Sequence, residues 1–377
     1  MIALGFVVLA VWIGLIATGF WTCAARDENV ALAAPGQWPE VVAVVPARDE
    51  ADVIARSIGS LIAQDYPGAF RIILVDDNSS DGTGDIARAI ASDRLTVLTG
   101  ACLPAGWTGK LWAVEQGIAA AQSDGAAPRY LWLTDADIDH APDTLVRLVE
   151  IAAAGDKRLV SFMAQLSCET AAEKLLIPAF IWFFMMLYPF NWVNRRGAIA
   201  DRIAGAAGGC VLVEAAALGD AGGIAAMRGA LIDDCTLGRM IKRQGPIWLG
   251  LTERSRSIRP YRGVGEIGAM IARSAYAQLR YNPALLVVAV AGLAVVFGGP
   301  LVCAVSGQPV PRFCGLVACG LALGSYAPIL TFYRRAPVWG LALPLVAVFY
   351  VGCTLWSALA WYRGRGGMWK GRAQAAI

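Results

Sequence analysis

The sequence has one histidine and no pair of cysteines spaced for a metal. A Ser-His-Asp or Cys-His mechanism would have to rest on His140 alone, and metal sites built from histidine are nearly excluded. The nine cysteines are scattered and never form a C-x-x-C motif. An odd, unpatterned set that lies partly in apolar runs indicates buried reduced thiols rather than disulfides or zinc ligands.

Charged residues are also scarce. They make up 16% of the 377 residues, whereas apolar residues make up 57%, and the formal net charge is only +3. A typical soluble protein has about 25% charged residues. The small net charge gives no reason to expect nucleic acid as a partner. The composition therefore predicts a membrane protein with a soluble portion.

Several long runs have no charge at all. Residues 1–25 form the first such run, and we predict an N-terminal transmembrane anchor there. A cleaved signal peptide is the alternative, which is disfavoured by the length of the run and by the absence of lysine or arginine from its first residues. Region 283–362 holds three more apolar runs, predicted to be transmembrane or re-entrant, and residues 363–377 form a basic tail.

The charges around these runs conflict with a simple topology. If the soluble portion is cytoplasmic, three crossings leave Arg334 and Arg335 inside and place the basic tail outside. That arrangement violates the positive-inside rule. Either one segment is re-entrant or the rule fails here, and the sequence leaves both readings open.

Residues 175–193 are another uncharged run of spanning length, but we predict that they do not span. The run contains Pro178 and Pro189 and is dense in aromatic residues, a composition typical of the membrane interface. A single crossing here would also place acids before and after the run on opposite faces of the bilayer. The sequence therefore predicts an interfacial segment within the soluble domain.

Strand and helix patterns alternate through the predicted soluble domain, residues 38–282. Buried strands are expected at 41–45, 70–75, 95–98 and 130–134, and helices at 49–64, 80–91, 110–121 and 236–243. Alternation at this interval predicts an α/β fold with a doubly wound, mostly parallel sheet. Asp49 is expected to cap the first of these helices.

Two carboxylates follow the strand at 130–134. Asp135 and Asp137 are separated by one residue, so on extended backbone they face the same side and can converge on one cation. Hard cations such as Mg²⁺ or Mn²⁺ take carboxylate and phosphate oxygens. The carboxyl ends of strands are where open α/β sheets bind ligands. The alternative is an acidic turn that merely ends a strand.

Three further groups could act on a substrate. Lys110 could neutralise a diphosphate, although the surrounding residues do not form a P-loop. Asp233 and Asp234 open a helix, where paired acids often only complement the dipole, but a general base must be a carboxylate, a histidine or a similar group. Arg280-Tyr281 could bind phosphate or serve as a basic-aromatic interface anchor.

Taken in order, these motifs resemble those of the family 2 glycosyltransferases of the GT-A fold. The resemblance covers about residues 38–285 and rests on Pro46-Ala47-Arg48-Asp49-Glu50, Val75-Asp76-Asp77-Asn78-Ser79-Ser80-Asp81-Gly82-Thr83, Asp135-Ala136-Asp137 and Asp233-Asp234. The layout of apolar runs and residues 364–372 are most similar to the hopene-associated membrane enzymes of bacterial hopanoid biosynthesis. The Q-x-x-R-W motif of related processive enzymes survives only as Arg280-Tyr281, which disfavours a polysaccharide synthase.

The resemblance implies specific roles. Asp77 would contact the nucleotide base, and Pro46, Ala47 and Glu50 would line its pocket. Asp137 would ligate Mg²⁺ or Mn²⁺, with Asp135 supporting the metal or the ribose. Asp234, with Asp233 beside it, would be the base of an inverting transfer.

We therefore expect a multi-pass enzyme of the bacterial inner membrane with a cytoplasmic catalytic domain. It would move a sugar from a nucleotide-sugar donor to a lipid acceptor, such as a hopanoid, a polyprenyl phosphate or a sphingolipid. The alternatives are a nucleotidyl- or phosphotransferase on a similar sheet and a non-catalytic membrane scaffold.

Overall fold

The computed structural model describes residues 1–123, 127–369 and 372–373. The chain forms two compact units. A helical unit comprises Met1–Ala24, Cys168–Asn191 and Pro260–Gly367, and a sheet unit comprises Ala25–Ser167, Trp192–Arg259 and the described residues after Gly367. Lys370, Gly371 and residues 374–377 of the predicted basic tail lie outside the described residues.

The sheet unit is built on one eight-stranded sheet within the described residues, in the order β3-β2-β1-β4-β7-β6-β8-β5. Its strands are β1 Val41–Ala47, β2 Phe70–Asp76, β3 Leu95–Thr99, β4 Tyr130–Thr134, β5 Ile138–His140, β6 Leu159–Gln165, β7 Cys210–Glu214 and β8 Ile247–Ser257. A separate antiparallel pair joins β9 Met368–Trp369 to β10 Arg372–Ala373.

The first half of this sheet is parallel and the second half is mixed. Strands β3, β2, β1 and β4 pair in parallel, whereas β7 pairs antiparallel with β4 and β6, and β5 pairs antiparallel with β8. Strands β6 and β8 are again parallel. The predicted α/β fold with a doubly wound sheet and additional apolar helices is confirmed.

Fourteen α-helices lie in the described part of the chain. They are α1 Ile2–Ala17, α2 Ile54–Ile62, α3 Thr83–Arg88, α4 Gly109–Ser123, α5 Thr144–Ala154, α6 Ala171–Leu187, α7 Phe190–Val193, α8 Ala215–Asp220, α9 Asp233–Gln244, α10 Val264–Gln278, α11 Pro283–Leu293, α12 Gly299–Ala304, α13 Pro309–Phe332 and α14 Leu343–Tyr362. Short 3₁₀ helices cover Ala200–Arg202, Ile224–Met227 and Pro337–Ala342, and a π-helical turn, Ala294–Gly298, joins α11 to α12.

The core of the sheet unit follows from the apolar periodicity. All seven residues of β1 are buried, as expected for a parallel strand covered on both faces. Helix α2 packs with Ile54, Ile58 and Leu61, which recur at helical spacing on one face. The strand predicted at 130–134 has the predicted bounds, whereas the helices predicted at 49–64 and 80–91 are shorter.

The predicted cap by Asp49 is wrong. Helix α2 begins at Ile54, and its N-terminus has no side-chain cap. Asp49 instead adopts a positive φ of 50°, and its carboxylate accepts a hydrogen bond of 2.8 Å from the backbone N–H of Ser80. A partner from the next strand–helix connection has replaced the local interaction that the sequence suggested.

The helical unit contains three segments that are long and apolar enough to cross a membrane, among the residues described. They are Pro283–Ala304, Pro309–Phe332 and Pro337–Tyr362. Helix α1 is also apolar, but its 16 residues extend only about 24 Å at 1.5 Å per residue, less than a bilayer core of about 30 Å.

The predicted interfacial run, residues 175–193, forms most of α6 and all of α7. Its central aromatic residue, Trp182, is fully buried inside the helical unit. The indole of Trp182 stacks with the ring of Trp12, with centroids 6.5 Å apart. Its N–H donates a hydrogen bond of 3.1 Å to the carbonyl of Ser325. Part of this aromatic run therefore packs against other helices, while Leu187 at the end of α6 is exposed.

Candidate active site

The carboxyl ends of β1, β2 and β4 meet at one edge of the sheet because these strands are parallel. Ala47 lies opposite Asp76, and the backbone N–H of Asp77 donates a hydrogen bond of 2.8 Å to the carbonyl of Ala47. The Asp77 side chain is only 1% exposed. Arg48 donates to the Asp77 carbonyl at 2.6 Å, and its Nη1 lies 3.5 Å from Asp77 Oδ2. The residues predicted to receive a nucleotide base are thus fixed together.

Lys110 joins acids from two distant parts of the chain. Its Nζ lies 2.8 Å from Asp135 Oδ1, after β4, and 3.0 Å from Asp233 Oδ2, at the start of α9. Burial opposes the charge of this ammonium group, but the two carboxylates outweigh it and raise the pKa of Lys110. Lys110 therefore stays positively charged between the two acids.

Arg259 joins a second pair of acids and was not among the residues predicted from the sequence. Its Nε donates a hydrogen bond of 3.0 Å to Asp137 Oδ2, and its Nη2 pairs with Glu50. Burial disfavours the guanidinium charge, but Glu50 and Asp137 raise the pKa of Arg259. Arg259 follows β8, a strand that was not predicted from the sequence. Its place at the end of a strand-forming run was the only available signal.

Asp234 is held by the backbone. Its Oδ2 accepts a hydrogen bond of 3.1 Å from the N–H of Gly208, and its Oδ1 accepts one of 2.7 Å from the N–H of Cys235. Burial, and then the neighbouring charge of Asp233, raise the pKa of Asp234 to about 6. A carboxylate with this pKa is suited to take a proton near neutral pH.

A single pocket collects five of the predicted residues, namely Pro46, Lys110, Asp135, Asp233 and Asp234. Its remaining lining residues are Leu111, Val114, Leu133, Thr134, Gly208, Val211, Ile224, Met227 and Leu237. Ala47 and Asp77 are joined by a direct backbone hydrogen bond. Glu50 and Asp137 are joined indirectly, because Arg259 forms an ion pair with each of them. Arg280 and Tyr281 belong to the helical unit, between α10 and α11, and their proposed role remains a prediction.

The chain's one histidine has a structural role. His140 is 4% exposed, and its ring nitrogens lie 2.9 Å from the hydroxyls of Thr134 and Ser255. Burial lowers the pKa of His140 to about 3, so the ring is neutral. The imidazole is committed to two hydroxyl partners in the core, which leaves the carboxylates of the pocket as the candidate bases.

The acids fit a divalent cation that is completed by a substrate. No group of three or more His, Cys, Asp and Glu residues is placed to hold a metal within residues 1–123, 127–369 and 372–373. Asp135 and Asp137 supply two carboxylates near the end of β4. Mg²⁺ is usually bound by one or two carboxylates together with substrate phosphates and water, so this small donor set suits it.

Comparison with known proteins finds one matching family model over part of the chain. Residues 42–213 match the family model of glycosyl transferase family 2. Over 130 residues the chain is 32% identical to the beta-monoglucosyldiacylglycerol synthases of Trichormus variabilis and a Nostoc species. These matches cover 34% of this chain, and the chain spans about a quarter (26%) of the length of each relative.

A solved structure shows the fold over nearly the whole chain. The mannosyltransferase PcManGT from Pyrobaculum calidifontis, in complex with GDP-Man and Mn²⁺, superposes with a TM-score of 0.58. The alignment has 19% sequence identity and covers 94% of this chain and 99% of that chain. Identity at this level supports a shared fold and nothing further.

Proposed function

We propose that this chain, whose residues 42–213 match the family model of glycosyl transferase family 2, is a glycosyltransferase that moves a sugar from a nucleotide-sugar donor to a lipid acceptor. The observation that carries the proposal is the bridge made by Lys110. One ammonium group contacts Asp135, on the donor side of the predicted site, and Asp233, beside the predicted base. The acids proposed to bind the donor and the acids proposed to act on the acceptor therefore lie next to the same ammonium group.

The donor would bind along the carboxyl edge of the sheet. Asp77 would contact the base, with Pro46, Ala47 and Glu50 lining its pocket. Asp137 and Asp135 would hold Mg²⁺ or Mn²⁺, which as a Lewis acid stabilises the departing nucleoside diphosphate. Lys110 and Arg259 would supply further positive charge beside the phosphates.

Asp234 would act as the general base. It would take the proton of an acceptor hydroxyl as that oxygen forms a bond to the anomeric carbon. The bond from the anomeric carbon to the diphosphate oxygen breaks in the same displacement, and the bonding electrons leave with the diphosphate. A single in-line displacement inverts the configuration at the anomeric carbon. An acceptor phosphate, already anionic, would have no proton to give up.

The lipid acceptor is supported by the three apolar segments of the helical unit and by the glycolipid synthases among the relatives. We propose that the enzyme lies in the bacterial inner membrane with its sheet unit on the cytoplasmic side. A hopanoid acceptor is supported by the sequence resemblance alone. A polyprenyl phosphate and a sphingolipid are the alternatives.

The test is a transfer assay with the full chain in lipid vesicles. Labelled nucleotide sugars are supplied with vesicles that contain diacylglycerol, a hopanoid, a polyprenyl phosphate or a sphingolipid, and the lipid products are weighed by mass spectrometry. A lipid gaining the mass of one sugar supports the proposal. A lipid gaining a nucleotide would identify a nucleotidyltransferase, and an unconsumed donor in all vesicles would favour the scaffold.

The transfer rate should fall in acid. Asp234 must be ionised to accept a proton, and its raised pKa of about 6 means that the ionised form is lost as pH falls through that value. With a hydroxyl acceptor, kcat should therefore fall about tenfold per pH unit below the pKa and level off above it. The measurement is kcat between about pH 4 and pH 8. A constant kcat across this range would contradict the role of Asp234.

A further inference from the structure

Helix α9 is fastened along its length to the backbone segment 203–208, which leads into β7. At the start of α9 the carboxylate of Asp234 accepts a hydrogen bond from the N–H of Gly208. One residue later the thiol of Cys235 donates to the carbonyl of Ala206 at 3.6 Å. The segment therefore runs antiparallel to α9 and begins its contact at the predicted base.

The middle of α9 touches the segment through a glycine. A Cβ atom added at Gly238 would lie 2.8 Å from the carbonyl carbon of Gly205 and 3.0 Å from its oxygen. Real Cβ atoms essentially never approach backbone this closely. Gly238 is therefore required by the close approach of the two backbones, and any side chain here would push the segment away from the helix.

The far end of the contact is held by a buried ammonium group. Lys242 is 2% exposed, and its Nζ donates hydrogen bonds to the carbonyls of Val193 at 2.7 Å, Ala200 at 2.8 Å and Ile203 at 2.8 Å. Burying a charge is costly unless it is fully hydrogen-bonded. Here backbone oxygens provide the bonds, so the side chain anchors the segment just where it turns toward α9.

We propose that Gly238 and Lys242 are positioning residues for Asp234, an inference that rests on the proposed function. They keep segment 203–208 against α9, so that the N–H of Gly208 holds the carboxylate of Asp234 in one orientation. The groups that face this carboxylate are the backbone N–H groups of Gly208 and Cys235 and the charges of Asp233 and Lys110.

The test compares Gly238→Ala and Lys242→Met with matched controls. Gly219→Ala changes a helical glycine with open space around it, and Arg243→Met changes an exposed cation in the same turn as Lys242. In the two test variants we expect kcat to fall about tenfold or more and the donor KM to change little. Loss of the hydrogen bond from the Gly208 N–H to the ionised Asp234 carboxylate should also raise the pKa of Asp234. The fall of kcat in acid should therefore begin about one pH unit higher.

A separate readout does not depend on activity. Hydrogen exchange at the Gly208 amide should become faster in Gly238→Ala and Lys242→Met and stay unchanged in both controls. A lower kcat with an unmoved acid limb and unchanged exchange would overturn the proposal, because the hydrogen bond from Gly208 to Asp234 would then be intact in the less active variants. If the wild type transfers no sugar at all, the proposed function fails, while the exchange measurement still tests the contact.

A second inference comes from the helical unit and does not depend on the function. Segments Pro283–Ala304 and Pro309–Phe332 form an antiparallel hairpin, joined by residues 305–308. A Cβ atom added at Gly315 would lie 2.6 Å from the carbonyl oxygen of Pro300, which shows how closely the two segments pack. Both segments cross a membrane or neither does, so the start and the end of the hairpin lie on one side.

The third apolar segment, Pro337–Tyr362, ends where the hairpin begins. The ring of Trp361 stacks on that of Tyr281, with centroids 5.2 Å apart and planes at 23°. The hydroxyls of Tyr362 and Tyr276 are 3.0 Å apart. A segment that crossed the bilayer would place its end about 30 Å away from its entry side.

Helix α14 also runs parallel to a helix that is not a candidate span. Gly268 of α10 lies near Phe349, with the added Cβ 3.4 Å from its ring, and the N–H of Tyr276 donates to Ser357 at 3.0 Å. Helix α10 carries the exposed charges Glu266 and Arg273. The second half of α14 therefore lies beside an amphipathic helix, an arrangement suited to a membrane surface.

We infer that Pro337–Tyr362 enters and leaves the apolar layer on the same side of the membrane. Arg363 and Arg365 then share a side with Arg334 and Arg335. This removes the conflict with the positive-inside rule, because the basic residues no longer alternate across the bilayer.

Cysteine labelling in intact and in opened membrane vesicles tests this inference on the full chain. Arg334→Cys marks the side on which the third apolar segment begins, because Arg334 is exposed just before that segment. Arg363→Cys and Gln308→Cys are chosen because both positions are exposed. All three cysteine variants are made in a Cys102→Ser background, because the native Cys102 is exposed and would also be labelled. An impermeant maleimide should reach Arg363→Cys from the same side as Arg334→Cys, and should reach Gln308→Cys from the other side. Labelling of Arg363→Cys only from the side of Gln308→Cys would overturn the inference.

Discussion

Asp234→Asn is expected to lower kcat about 10²–10⁴-fold with a hydroxyl acceptor, the usual contribution of a general base. Asparagine keeps the size of the side chain but cannot accept the proton. The amide can still accept one of the hydrogen bonds that the backbone of Gly208 and Cys235 donates to Asp234. The measurement is kcat and donor KM for the lipid acceptor that the transfer assay identifies.

Asp220→Asn is the matched control, because Asp220 is an exposed acid at the end of α8 and lies outside the pocket. It should leave kcat unchanged. The chemistry of the acceptor gives a second comparison, since a lipid phosphate has no proton to lose and should be affected far less by Asp234→Asn. Near-normal kcat with a hydroxyl acceptor would remove Asp234 from its proposed role.

Asp137→Ala should lower kcat/KM for the donor about 10²–10³-fold. Lewis-acid stabilisation of the leaving group is worth several kcal/mol, and about 1.4 kcal/mol corresponds to a factor of ten. The substitution also leaves Arg259 without one of its two acidic partners. The measurement is the dependence of kcat/KM on added Mg²⁺ or Mn²⁺, after treatment with a chelator.

Asp139→Ala is the control for this experiment. Asp139 lies two residues further along and pairs with Arg56 at the surface, at 2.5 Å. Because exposed ion pairs contribute about 0–1 kcal/mol, its removal should change neither activity nor metal dependence. Equal effects of Asp137→Ala and Asp139→Ala, or an activity indifferent to chelator, would refute the metal role of Asp137.

The residues that follow strands could be predicted because short-range rules govern them. The run Tyr130–Thr134 is apolar and rich in residues that favour strands, and it ends in acids that would be costly to bury. The structure places the strand at these residues. Paired acids at the start of α9 are likewise favoured by the helix dipole. Such local preferences identify both halves of the candidate site.

The partners of these acids could not be predicted. Arg259 lies 122 residues from Asp137 and 209 from Glu50, and no local pattern links them. For Asp49 a local interaction was predicted and a distant one is observed. Its carboxylate does not cap the helix that follows it but accepts a hydrogen bond from the backbone N–H of Ser80, 31 residues away. The two hydroxyl partners of His140 could not be predicted for the same reason, because they lie on different strands.

By itself, the sequence determined the alternation of strands and helices, the apolar segments and the acids at the ends of strands, because hydrophobic periodicity and local backbone preferences act over a few residues. Only the tertiary structure decided that Lys110 and Arg259 are the basic side chains that pair with these acids. It also decided that segment 203–208 packs against α9 and that the last apolar segment ends beside Tyr281. These contacts depend on the order of strands and on helix packing, which bring together residues that no short-range rule relates.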